Sequence, residues 1–171
     1  ACACSTASCA TPAKAERAGG AIQAAGRAMR VDFYQLSRDP VEWVVPLIAR
    51  ATRAAGERLL VVSGDGDALE RIDHALWDRL PEAFLAHGRA DQPHAAHQPI
   101  LLSDRLEPGN GARYIALVDG LWRDEAEGFA RAFLLFGDAE LDGARAGWRM
   151  LGGREDVERR FWKQDGGKWR E

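Results

Sequence analysis

Four short runs made almost wholly of apolar residues constrain this chain most: RLLVVS at 58–63, ILLS at 100–103, YIALV at 114–118 and AFLLF at 132–136. Each has the length of a strand and falls short of a buried helix, and none shows the in-out alternation of a strand with one wet face. Such runs are expected of strands covered on both sides, as in a parallel sheet with helices packed above and below it. A further segment, VDFYQL at 31–36, alternates and is rich in β-formers, so it reads as the first strand.

Helical spacing separates these runs. Val41, Val44, Val45, Ile48, Ala49 and Thr52 recur at intervals of three and four, with Pro46 inside the pattern and Gly56 placed to cap its end. Leu69, Ile72, Leu76 and Trp77 define a second helix that Pro81 ends, and a third runs from about 141 to 151. Gly152 and Gly153 break the pattern, and 154–162 is expected to resume it as a fourth helix. Alternating strands and helices predict an α/β fold: a three-layer Rossmann-like domain with a mainly parallel five-stranded sheet and helices on both faces.

With 171 residues, 46% of them apolar, the chain has material for one domain with a real core. Residues 29–171 are expected to be that domain. Residues 1–28, where Ala, Gly, Ser and Thr mix with Lys14, Glu16, Arg17 and Arg27, lack apolar periodicity and read as an extension outside the fold. They also lack the continuous apolar stretch of a secretory signal. All three cysteines, Cys2, Cys4 and Cys9, lie there, which makes no disulfide framework and suits a reducing, cytoplasmic setting. The charge is uneven: 29–143 carry 12 basic and 20 acidic residues, whereas 144–171 carry 8 basic and 5 acidic ones. An acidic body disfavours broad duplex binding, and a basic end offers a local site for an acidic partner.

The residues assemble no catalytic site. Gly64-Asp65-Gly66 follows a strand and opens a helix, the place of a dinucleotide phosphate loop, but Leu69 stands where the third glycine belongs and Asp65 and Asp67 would repel a pyrophosphate. His94 and His97 are spaced to share an ion, yet only Asp91 lies near them in sequence. There is no Gly-x-Ser-x-Gly elbow, and Ser37, Ser63 and Ser103 fall at strand ends where capping explains them. Asp124 and Glu125 read as partners of a helix dipole rather than as an acid and base. No cofactor and no metal is expected. Two other classes stay in view: a nucleotide-dependent enzyme, and a direct single-stranded DNA binder that uses tryptophans such as Trp148 and Trp162 beside basic neighbours.

Four stretches in order carry a family likeness: MRVDFYQLSRDP at 29–40, LERIDHALWDRLPEAFLAHG at 69–88, HQPILLSDRLEPGNGARYIALVDG at 97–120 and FARAFLLFGDAELDGARAGWRML at 129–151. With the ending RRFWKQDGGKWRE, they resemble the chi subunit of bacterial DNA polymerase III, of the alphaproteobacterial kind. The resemblance implies a nucleotide-binding-like fold that binds no nucleotide and an adaptor without catalysis. It further implies two partners: the acidic C-terminal tail of single-stranded DNA-binding protein, and the psi subunit of the clamp-loader complex or a lineage-specific substitute for it. Arg145, Trp148 and Arg149 match the basic and aromatic positions of the family's last long helix, which hold the tail. Trp77 and Phe84 match the aromatic positions that meet psi. Relative to the best-known members, the link at 137–143 is shorter and the chain beyond Gly152 is differently arranged.

Deleting residues 1–28 is expected to leave the melting temperature within a few degrees, because the fold starts near Arg30. A large fall on thermal denaturation of the shortened chain would show that the segment packs on the domain.

Overall fold

The structure is a computed structural model, and it describes residues 28–165 and 168–171. The extension expected at 1–28 therefore lies, apart from Ala28, outside the described residues. The order is β1 (Met29–Gln35), α1 (Val41–Ala54), β2 (Leu59–Val62), α2 (Gly66–Asp78), β3 (His87–Arg89), β4 (Ile100–Ser103), β5 (Tyr114–Leu117), β6 (Arg131–Phe136), α3 (Leu141–Met150), β7 (Val157–Asp165) and β8 (Lys168–Arg170). No helix among the described residues is long and apolar enough to cross a membrane.

All eight strands join one sheet in the order β3-β4-β2-β5-β6-β1-β7-β8. Every neighbouring pair is parallel except the hairpin of β7 and β8. Mixed α/β architecture with a mainly parallel sheet is as expected. The count of five strands is not, because β3, β7 and β8 add to the five apolar runs. β3 is three residues of His-Gly-Arg with no hydrophobic pattern to announce it. It pairs with β4, and a Cβ at Gly88 would meet the Gln98 side chain at 2.9 Å, so the close approach needs glycine.

The expected fourth helix at 154–162 is overturned, since Val157–Asp165 is the strand β7. The cause is tertiary. Without β7, β1 would be an edge with a row of unpaired amides, and Met29 through Gln35 instead pair in register with 157–163. VERRFWKQD then sends Arg159 and Phe161 to one face and Arg160, Trp162 and Gln164 to the other.

Alternate strand residues feed two cores. Val31, Phe33, Ile115, Leu117, Leu134 and Phe136 cluster with Ala144 and Leu151 on the α3 side, while Leu59, Val61, Ala116, Phe133 and Leu135 cluster with the buried faces of α1 and α2 on the other. Pro46 sits in the second turn of α1 and is buried, so the helix begins before it and tolerates it.

One buried carboxylate ties three strands together. Asp32 of β1 is fully buried. It accepts from Arg30 (Nη2 to Oδ1, 2.7 Å), from Arg131 of β6 (Nε to Oδ2, 2.7 Å) and from Trp162 Nε1 of β7 (3.0 Å). Gln164, also buried, does the same for the chain leaving β1: its Oε1 accepts from the amides of Arg38 and Asp39, and Ser37 Oγ donates to its backbone carbonyl at 2.8 Å.

Asp32→Asn keeps the shape but leaves two arginines facing no charge, so it is expected to cost roughly 3 kcal/mol, the scale for breaking a buried ion pair. Urea unfolding checks this through a lower midpoint at unchanged slope.

Candidate functional site

Two exposed surfaces carry the residues singled out by sequence. The first is built on α3, which buries Ala144 and Gly147 against the sheet. A Cβ at Gly147 would stand 3.0 Å from Trp122, so glycine lets the helix lie close. This seating turns Arg145 and Arg149 outward, one turn apart on a shared face. The Arg145 side chain is 63% exposed and only loosely paired with Asp142 at 3.6 Å. Arg149 Nε donates to the Arg145 carbonyl at 3.3 Å.

Trp148 lies between that face and the core. It is half-buried, edge-on to Phe33 at 5.0 Å and to Phe161 of β7 at 6.2 Å. The Arg159 guanidinium lies 4.4 Å from its ring centre and donates through Nη1 to the Trp148 carbonyl at 2.5 Å. Phe161, partly exposed, borders the ring. The result is an apolar step of Trp148 against Phe161, with the Arg159 guanidinium on the ring and Arg145 and Arg149 on the outward face of the same helix. Sequence reasoning missed Arg159 and Phe161. The signal was present as RRFW with period two, but a strand there pays only if β1 needs a neighbour.

The second surface lies where α2 meets the sheet edge at β3. α2 buries Leu69, Ile72 and Leu76 and leaves Trp77 48% exposed. Phe84 is 75% exposed, with φ of 43°, an uncommon backbone for an aromatic residue. The two rings meet edge to face at 6.2 Å. Behind Trp77 lies buried His87, its ring 4.7 Å away; His87 Nδ1 donates to the Leu85 carbonyl at 2.7 Å and Nε2 stands 3.3 Å from Asp73. The structure thus brings Trp77 and Phe84 together, and separately gathers Arg145, Trp148 and Arg149 on α3. It does not bring the two sets to one place.

The turn after β2 is closed by the protein's own acids. Asp119 Oδ2 accepts from the Gly64 amide at 3.1 Å, and Asp65 Oδ1 accepts from Asp67 at 2.9 Å as the cap of α2. Burial alone would push the Asp119 carboxyl up, but hydrogen bonds from Arg123 and from the Gly64 and Leu121 amides outweigh it and hold it below the usual carboxylate range. The cleft at these strand ends is lined by Asp39, Glu42, Asp65, Asp119, Asp138 and Glu140 against Arg38 and Arg71. That lining opposes a polyphosphate. Among the described residues, no group of three or more His, Cys, Asp or Glu is placed to hold a metal.

No curated protein matches the chain. A family model does: that of the DNA polymerase III chi subunit, HolC, over residues 29–155, from β1 through α3 and up to the start of β7. A match of that extent, across most of the described fold, means that the chain belongs to the DNA polymerase III chi subunit family.

Proposed function

We propose that this chain is a non-catalytic accessory subunit of the DNA polymerase III holoenzyme that works in the cytoplasm. Its task is to link the clamp-loader complex to single-stranded DNA-binding protein by holding that protein's acidic C-terminal tail. The observation that carries the reading is the α3 surface, where Arg145 and Arg149 point outward on the helix that carries Trp148, whose ring meets Phe161 and the Arg159 guanidinium. A peptide that ends in consecutive carboxylates and a terminal Phe needs fixed positive charge, a forked donor for the α-carboxylate and an apolar wall for the ring. Guanidinium groups supply the first two and the Trp148–Phe161 step the third. Around it the body is acidic, which keeps other anions away and leaves this patch as the landing place.

Trp77 and Phe84 are the second half of the reading. An exposed pair of large rings, one held in a left-handed backbone, is the composition of an interface hot spot. We assign it to the clamp-loader side, to psi or to the protein that takes its place.

Titration of the purified chain with the C-terminal peptide of the cognate single-stranded DNA-binding protein tests the first half. Saturable binding is expected, weakening steeply from low to high salt because the charges are exposed. Arg145→Glu should abolish it, and unchanged binding by that variant removes the site assignment.

For the second surface, Phe84→Ala is expected to weaken capture of clamp-loader proteins at least tenfold, the scale of a hot-spot ring. The melting temperature should hold, since the ring is mostly in solvent. Capture equal to that of the parent chain would show that Phe84 anchors nothing.

A further inference from the structure

Behind Trp77 lies the one buried imidazole among the described residues, that of His87, whose side chain is 1% exposed. It touches what holds each of the two exposed rings. Nδ1 lies 2.7 Å from the Leu85 carbonyl, and a carbonyl only accepts, so Nδ1 keeps its proton in every state of the ring. That bond ties down the chain just after Phe84, whose left-handed backbone is followed by the Ala86 amide donating to the Phe84 carbonyl at 3.0 Å. The imidazole itself lies 4.7 Å from the Trp77 ring, tilted by 48°.

The other nitrogen has two settings. Nε2 is buried and has no hydrogen-bond partner, yet Asp73 Oδ1 stands 3.3 Å away, on α2 one turn before Trp77. In the neutral imidazole a lone pair faces a carboxylate, acceptor against acceptor, and Nε2 is left unsatisfied. In the imidazolium, Nε2–H donates to Asp73 and the charge lies within cation–π reach of Trp77. The surroundings leave this pair to itself. On β3 the next residue of the same face is Arg89, whose nearest acid is Asp91 at 3.9 Å. β4 opposes His87 with the uncharged Ile100, while Glu70, His74 and Asp78 of α2 and Glu82 of the turn before Phe84 are exposed to solvent.

We propose that His87 is a proton-linked positioning residue for the surface made by Trp77 and Phe84. Uptake of a proton at Nε2 closes the bond to Asp73, joins α2 to β3 behind the rings and strengthens capture of the partner in front of them. The inference rests on the assignment of that surface to a clamp-loader protein. Its sign follows from which form is bonded: the extra contact exists only when Nε2 carries a proton, so it is present at low pH and is lost as pH rises through the range, about 5 to 8, in which imidazole changes charge.

The test reads the ring and the partner separately. Nuclear magnetic resonance of the full chain across that range should show Nδ1 protonated throughout, Nε2 titrating, and the indole N–H signal of Trp77 moving with the same midpoint. Capture by immobilised clamp-loader complex should be about fivefold tighter at the acid end than at the alkaline end, the lower end of what linked sites show. Asp73→Asn, at a partly exposed position, separates this device from a merely structural histidine. The new amide donates to the neutral Nε2, so capture at the alkaline end should rise to the acid level and the dependence on pH should vanish. A His87 that does not titrate in this range, a Trp77 signal that ignores it, or a pH dependence that survives Asp73→Asn overturns the proposal. Capture lost in Phe84→Ala at both ends, with the titration intact, supports it. Capture absent at both ends, or unchanged in Phe84→Ala, removes the assignment of the surface alone, and the coupled titration of His87 and Trp77 then decides the role of His87.

Discussion

The contact on which the rest of this molecule depends is the fully buried carboxylate of Asp32. A lone buried charge is strongly unfavourable, and this one is tolerated because every direction it faces holds a donor: Arg30, Arg131 and Trp162. Those donors come from β1, β6 and β7, so one charge fixes the lateral order of three strands. It also sets the face of β7. Trp162 must point toward Asp32, and by the period of two Arg159 and Phe161 must then point away, toward α3.

Both faces of the central sheet inherit their composition from that choice. On the α3 side, Phe161 and Arg159 close around Trp148 and give its ring an edge contact and a cation above it. On the α1 side, Trp162 lies beside Tyr34, and Gln164 fixes the loop that leads into α1. Burial, helped by the charge of Asp32, pushes the Tyr34 phenol up. A slip of β7 by one residue would exchange these sets and dismantle both.

The strand ends that serve related sheets as a phosphate site are used differently here. The amide of Gly64, which would otherwise point at a ligand, donates to Asp119, and Arg123 neutralises that carboxylate. An internal carboxylate thus takes up that amide. At this turn of the mainly parallel sheet the protein's own side chains satisfy the donor.

Much of this was legible in the sequence because it rests on local pattern. Runs such as LLVV and AFLLF declare themselves as buried strands, and the three-four spacing of α1, α2 and α3 declares helices. The outward Arg145 and Arg149 follow from helical periodicity once the buried stripe is known. What the sequence could not decide were β3, β7 and β8, and with them five against eight strands. Their segments are short or charged on both faces, and what makes them strands is an unpaired edge: that of β4 for β3, that of β1, far away in the chain, for β7, and that of β7 for β8. Only the tertiary structure could therefore set Arg159 over Trp148, Trp162 against Asp32, and Trp169 beside Tyr34: hydrophobic period is a local property of the chain, whereas the need of a sheet edge for a partner is not.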